Sequence, residues 1–522
     1  MSGDPRTAAA QDALDRGDVS RAGTLAGALC RERPDLADGP YLLGLAEAAA
    51  GRVSRALPLV AHAVARAPTP QRLAQLARLL SLGRRDGEAG RAARTALAAG
   101  PTDALSLDTI GCVLARLGDH EGSFAPFEAA VAAAPDDPGF RYNLAAACGF
   151  TGRTTDARCH YEALLARRPG NARAHYALAI LERQTGTGHL DRLERVLADA
   201  RDPLDRMRLR YALAKELEDL GRHGEAFTWL AAANADRKRD LRYDFAQDAA
   251  LFDAIEQGFA GDTALPGTGL DDPAPIFVVG MPRTGTTLVD RILSSHPDVG
   301  SAHELQAMPL AIKEVSGVAS RVVLDADTVR ASMAADAGDV AARYLARAEH
   351  HRPPGRPRFV DKLPANFLYV GAIARALPRA KIVCLRRGPM DTVWSNFKNL
   401  FAPTSAYYFY SNDLMDTARY YHRFDRLMAF WQARFPGRVL ELGYEKLVAD
   451  QEGETRRLLA HCGLEWDARC LSFHENAAAV ATPSAAQVRR PMNADAVARW
   501  RVHADRLAPV RAFFEEHGIA VG

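Results

Sequence analysis

Between Pro275 and Pro297 an apolar run, Ile276 to Val279, meets Gly280, and Gly285 follows just before Thr286 and Thr287. The amphipathic stretch after it carries Leu288, Ile292 and Leu293 on one face. Strand, glycine-bounded loop and helix together make the frame of a phosphate loop. In the usual loop a lysine follows the second glycine and reaches the outer phosphates, while the next hydroxyl meets magnesium. Thr286 occupies the lysine's place here. Backbone N–H groups at a helix N-terminus favour an anion without that lysine, and the helix dipole adds about 0.3–1 kcal/mol. Gly280 and Gly285 permit the tight turn, Thr286 and Thr287 supply hydroxyls, and Arg283 can fork onto phosphate oxygens. The point charge on a terminal phosphate is lost, and with it a clear magnesium site. Such a loop suits a nucleotide whose transferable group carries little charge.

The elements that must hold this loop follow from the pattern downstream, where short apolar strands alternate with helical stretches, as in a parallel sheet. Arg358 to Lys362 reads as a strand and Asn366 to Leu377 as a helix. Ala380 to Arg387 is a further strand, Met390 to Leu400 a helix, and Arg438 to Asp450 a strand running into a helix. Ligands collect at the carboxyl ends of parallel strands. Those ends gather the loop, Asp361 and Lys362, Arg386 and Arg387, and Tyr444, which places several cations on one rim. Aromatics between Phe401 and Trp431 suit a substrate or adenine wall, although their helical spacing fits a core better.

The amino-terminal half is a repeat array. Pro34, Pro68, Pro101, Pro135, Pro169 and Pro203 recur at intervals of 33 or 34 residues. Gly17, Gly51, Gly118 and Gly152 each lie 17 residues before one of these prolines, and Ala22, Ala56, Ala89 and Ala157 lie 12 before. A glycine ends one helix, a small residue lets the next pack closely, and the proline stops it. This resembles the tetratricopeptide repeat, with six units over about residues 3–205 and a seventh marked by Gly221, Ala226 and Ala233. The resemblance implies a superhelix whose groove takes a peptide or packs on a partner domain. The expected organisation is a repeat domain over 1–240, a Gly/Pro/Asp-rich connecting segment over 241–272, and an α/β domain over 273–522. On that division a piece starting near residue 265 would hold a complete sheet.

Whole-chain properties narrow the partners. A net charge of +2 over 522 residues makes no case for nucleic acid or an acidic membrane. Seven scattered cysteines without a CxxC pair suggest neither a zinc site nor a disulfide framework, and fit a reducing compartment. The opening residues lack a signal peptide's apolar core, and no apolar run is long enough to span a membrane, so a cytoplasmic location is expected. Nothing in the pattern fixes an oligomeric state.

Two motifs sharpen the chemistry. "GMPRTGTTL" (Gly280 to Leu288) resembles the 5′-phosphosulfate loop of sulfotransferases, with Thr284 where the tyrosine-specific enzymes have serine. "RGPMDTVWS" resembles their 3′-phosphate motif, an arginine with a serine eight residues later, here Arg387 and Ser395. Arg386 lacks that spacing. The likeness extends over about 273–510 and is greatest to protein-tyrosine sulfotransferases and to bacterial proteins joining tetratricopeptide repeats to a sulfotransferase domain. It implies 3′-phosphoadenosine 5′-phosphosulfate (PAPS) as donor and no metal, with Arg283, Thr284, Gly285, Thr286 and Thr287 on the 5′-phosphosulfate. It further implies Glu304 as catalytic base, Lys362 beside the transferring group, and Tyr444, Ser484 and Arg490 near the nucleotide; the tyrosine-specific enzymes have lysine at the place of Arg490. His303 is an alternative base, since small-molecule sulfotransferases use histidine. The acceptor could be a peptide tyrosine, a sugar or a small metabolite, and the repeats favour a peptide. Two further readings stay open: a scaffold with a merely structural nucleotide domain, and a kinase-like enzyme requiring ATP and magnesium.

Overall fold

The computed structural model describes residues 4–476, 478 and 487–521, which divide into two units at Arg168/Pro169. In the first unit helices follow one another in pairs, beginning with Pro5–Asp15 and Val19–Glu32 and ending with Pro138–Phe150 and Thr154–Arg167. Gly17, Gly51, Gly118 and Gly152 take φ between +74° and +88°, the left-handed step that ends the first helix of a pair. In the third pair Arg84 makes that step instead, at φ +57°, so one repeat tolerates a side chain where the others use glycine. Ala22, Ala56, Ala89 and Ala157 are fully buried, as close helix packing requires.

The second unit starts with further repeat helices, Ala172–Leu181, Gly188–Asp199, Pro203–Asp219 and His223–Leu241, and continues into a five-stranded sheet. Strands β1 (Pro275–Gly280), β2 (Val299–Ser301), β3 (Arg358–Asp361), β4 (Lys381–Arg386) and β5 (Val439–Gly443) lie in the order β2-β3-β1-β4-β5, all parallel. The sequence pattern missed β2, whose three residues are too few to show a period. Alternation along β1 sends Ile276 and Val278 into one apolar cluster and Phe277 and Val279 into the other, so both sheet faces are covered.

The cluster on the Phe277 face also contains Tyr211, Leu213 and Leu230 from the repeat helices, with Phe367, Trp394 and Trp431 from the α/β part. Phe227 stacks on Trp394, with ring centroids 5.9 Å apart. Lys238 pairs with Asp416 at 2.5 Å and Lys398 with Glu218 at 2.7 Å. Asn234 Nδ2 donates to the Phe397 carbonyl at 2.9 Å, and the Tyr211 hydroxyl donates to Asn234 Oδ1 at 2.5 Å. The connecting segment contains the helix Ala246–Gly258, whose Leu251, Phe252, Ala254 and Ile255 are buried in the same cluster. All five strands lie within 275–443, as expected of a piece starting near residue 265, while the core on this face extends back to Ala172. Repeat spacing reveals helix pairs but not which neighbour covers each apolar face.

Candidate active site

The loop after β1 is shaped by close approach. Gly280 sits at φ +145°, and a Cβ there would lie 2.7 Å from the Leu385 carbonyl oxygen of β4. Gly285 sits at φ +107°, with an added Cβ only 2.8 Å from the Tyr444 ring. Between them three successive carbonyls have donors: Thr284 Oγ1 reaches Met281 at 2.7 Å, Asn396 Nδ2 reaches Pro282 at 2.9 Å, and Arg387 Nη1 reaches Arg283 at 2.9 Å. A trans peptide points its N–H away from its C=O, so holding the Pro282 and Arg283 carbonyls fixes the direction of the N–H groups of Arg283 and Thr284. The helix Thr286–Ser294 starts directly afterwards, adding the unpaired N–H groups of its first turn. Thr286 and Thr287 are both buried there.

Arg387, just past β4, ties this loop to the next helix, Pro389–Phe397. Its Nη1 also donates to Ser395 Oγ at 3.2 Å, its Nη2 donates to the Ala496 carbonyl, and its guanidinium lies 5.2 Å from the Tyr444 ring centroid. Its Nε is buried without a partner. A buried N–H of a guanidinium left unmatched is costly unless an anion takes it. Burial and the neighbouring Arg387 charge hold the Arg283 guanidinium down to about 10, still cationic at neutral pH. Two guanidiniums so close favour an anion between them. Arg386 points elsewhere, pairing with Asp425 and Glu441.

A second cluster forms where β3 ends. Lys362 Nζ meets Glu304 Oε1 at 2.5 Å, and the Lys362 backbone N–H donates to the His303 carbonyl at 2.9 Å. The lysine side chain is 3% exposed and the glutamate 41%, so the cation lies beneath a carboxylate that faces outward. Asp290, on the loop helix, is buried close by with Oδ1 unpaired; burial pushes its carboxyl up, while Lys362 and His303 draw it down. Burial lowers His303, favouring its neutral form. Asp361 is buried next to Lys362, and burial raises its carboxyl well above the usual range; Tyr344 hydrogen-bonds it at 3.3 Å.

Among the sequence candidates, the structure thus gathers Arg283, the loop threonines, Arg387, Ser395 and Tyr444 in one cradle, with Glu304 and Lys362 as a pair. Arg490 is exposed and meets Asp495 at 3.4 Å, and Ser484 lies outside the described residues. Its neighbourhood enters instead through backbone: Ala496 accepts from Arg387, and Asp391 accepts from the N–H groups of Ala498 and Trp500 at 2.6 and 3.0 Å. Asn396, Asp391 and Asp290 were not read from sequence. Asn396 and Asp391 lie inside the Arg387–Ser395 neighbourhood, a signal that could have flagged them.

In a parallel sheet of this kind, ligands collect at the carboxyl ends of the strands, where this glycine-bounded loop lies. Comparison with known proteins narrows the chemistry. Residues 275–468 match the model of the sulfotransferase family, and residues 149–187 match a tetratricopeptide-repeat model. The chain therefore joins tetratricopeptide-repeat helices to a sulfotransferase-family region. An uncharacterized protein of Aquifex aeolicus (strain VF5) is 32% identical over 323 residues, 59% of this chain but only 41% of that protein's length. A putative protein-tyrosine sulfotransferase of Caenorhabditis briggsae is 25% identical over 230 residues, 43% of this chain and 80% of that protein. The solved sulfotransferase domain of the Synechococcus PCC 7002 olefin synthase is 16% identical at a TM-score of 0.32, covering 48% of this chain and 97% of that one. No helix among the described residues is long and apolar enough to cross a membrane.

Proposed function

We propose that the chain transfers a sulfuryl group from PAPS to a hydroxyl acceptor. The observation that carries this reading is the Arg387 guanidinium, hydrogen-bonded at once to the loop carbonyl of Arg283 and to Ser395, with a further N–H buried and unmatched. Arg387 and Ser395 recognise the 3′-phosphate; Arg283, Thr286, Thr287 and the loop amides hold the 5′-phosphosulfate. Thr284, whose hydroxyl is turned to Met281, contributes through its backbone N–H. Glu304 takes the proton from the acceptor hydroxyl as its oxygen bonds to sulfur, and general-base catalysis of this kind is worth roughly 10²–10⁴-fold. The sulfur–oxygen bond to the 5′-phosphate breaks, and Lys362 stabilises the charge growing on that oxygen. Arginine and lysine supply the neutralisation, so no step needs a metal. The repeats favour a peptide acceptor, including a tyrosine hydroxyl, and the seven free cysteines fit a cytoplasmic setting.

Calorimetry tests the donor. 3′,5′-Bisphosphoadenosine should bind at least about tenfold more tightly than AMP, since a buried charge-assisted contact is worth roughly 1.5–3 kcal/mol. Equal affinities, or tighter binding of ATP with magnesium, would refute the reading in favour of a kinase-like enzyme.

A further inference from the structure

Arg387 is aimed by acceptors on both of its outer nitrogens. Nη1 donates to the Arg283 carbonyl at 2.9 Å and to Ser395 Oγ at 3.2 Å, and Nη2 donates to the Ala496 carbonyl. Partners on both nitrogens of a planar guanidinium fix its rotation, and with it the direction of Nε–H, which is buried and unmatched. The Ala496 carbonyl belongs to a strap, residues 496–500, that arrives from 109 residues further along the chain. Asp391 holds that strap. Its carboxylate is buried on the helix Pro389–Phe397, and both oxygens are occupied by strap backbone: Oδ2 accepts from the Ala498 N–H at 2.6 Å and Oδ1 from the Trp500 N–H at 3.0 Å. Ala498 itself takes a left-handed φ of +58°, which crowds a Cβ and persists where the surroundings hold it. Beyond it Trp500 is buried, and the His503 ring lies 4.1 Å from the Trp394 ring, which fastens the strap's far end. Asp391 Oδ2 is 3.9 Å from Arg387 Nη2, too far for a hydrogen bond. A carboxylate beside the guanidinium by itself opposes a phosphate there, so its part in the site must come from what it holds.

We propose that Asp391 is a positioning residue for the nucleotide's 3′-phosphate. It folds the strap so that Ala496 takes Arg387 Nη2, which turns the guanidinium with Nε–H free for a phosphate oxygen. This rests on the sulfotransferase reading and adds to it: selectivity for a 3′-phosphorylated nucleotide depends on a carboxylate that touches no phosphate itself. The dependence is reciprocal, since whatever the strap contributes to 3′-phosphate affinity the 3′-phosphate returns to the strap.

Two measurements on the full-length protein test this. Asp391→Asn keeps the shape of the side chain but sets an NH2 group against one strap N–H. In calorimetry it should lower the ratio of 3′,5′-bisphosphoadenosine to AMP affinity by at least about fivefold, with AMP affinity within about twofold of wild type. The sign discriminates. A carboxylate acting only through its charge would, once neutralised, raise the ratio, and a merely structural one would weaken both nucleotides together. The second measurement uses wild type and needs no variant to fold. Hydrogen exchange in the peptide holding the Ala498 and Trp500 amides should slow at least about fivefold on saturation with 3′,5′-bisphosphoadenosine, and stay within about twofold of the free protein with AMP. An unchanged or raised ratio in folded Asp391→Asn, or equal exchange with the two nucleotides, would overturn the proposal. A wild type that binds no 3′,5′-bisphosphoadenosine would instead overturn the sulfotransferase reading, so the two failures are distinct.

Discussion

Replacing Arg387 by lysine keeps a positive charge behind the cradle and removes the guanidinium fork. Arg387 has five N–H donors. The structure engages Nη1 with the Arg283 carbonyl and Ser395, engages Nη2 with Ala496, and leaves Nε buried and unmatched. A lysine ammonium cannot satisfy these directions together, so the variant loses at least one charge-assisted bond to the 3′-phosphate, about 1.5–3 kcal/mol or roughly 10–150-fold. It also loses the brace on the loop, which weakens any adenosine 5′-phosphate. The two losses separate in a cycle: AMP has no 3′-phosphate, so its affinity reports the brace, and the ratio of 3′,5′-bisphosphoadenosine to AMP affinity reports the 3′ contact alone. We expect Arg387→Lys to lower that ratio by roughly 10–150-fold in calorimetry at constant ionic strength. A variant that weakens both nucleotides equally would show that Arg387 only braces the loop, and the assignment of Arg387 and Ser395 to the 3′-phosphate would fall.

Glu304→Gln keeps the shape beside Lys362 but removes the base, so turnover should fall at least about 10²-fold with nucleotide affinity nearly unchanged; near-normal turnover would transfer the base to His303 or to the substrate. Burial holds His503 down to about 4, against Glu218, which raises it, and His223, Arg506 and Lys398, which lower it further. An unfolded histidine titrates near about 6.5, so between these values the unfolded chain binds the extra proton and the fold loses stability as pH falls. His503→Phe, which retains a ring against Trp394, should therefore lose less melting temperature than wild type between pH 7 and 5, and identical losses would clear His503 of this role. Residues 169–522 should fold alone and bind 3′,5′-bisphosphoadenosine, whereas 265–522 should aggregate, having lost the helices that cover Phe367, Trp394 and Trp431; a soluble nucleotide-binding 265–522 would refute the shared core.

The legible parts of this chain are those with a local signature. Proline and glycine spacing marked the repeats because each helix end needs a stop or a left-handed step, as Gly51 and Gly118 show. The strand–glycine loop–helix unit was readable because its parts are contiguous, and the Arg387–Ser395 contact because two turns of one helix join them. What stayed hidden depends on contacts remote in sequence. Asn396 braces the loop from 114 residues away. The stretch after Arg490 reaches Arg387 through the Ala496 carbonyl, a backbone contact that no side-chain pattern announces. Asp290 looks like an ordinary polar position on an amphipathic helix until Lys362 and His303 fold against it.

One hydrogen bond bears on how such a chain can change over generations. A helix ends with carbonyls that have no partner of their own, and the last in the helix bearing Ser395, that of Phe397, is closed by Asn234 from the repeats. The final repeat pair thus supplies a missing terminus to the helix that presents Ser395 to Arg387. An array drawn from a common stock of repeats could be lengthened, shortened or traded wholesale upstream of Pro169 without opening that helix end. Exchange of the 203–241 pair would remove that partner. Lineages descended from this arrangement should therefore vary in repeat number at the amino-terminal side of that boundary, and inherit the last two helices together with the enzyme.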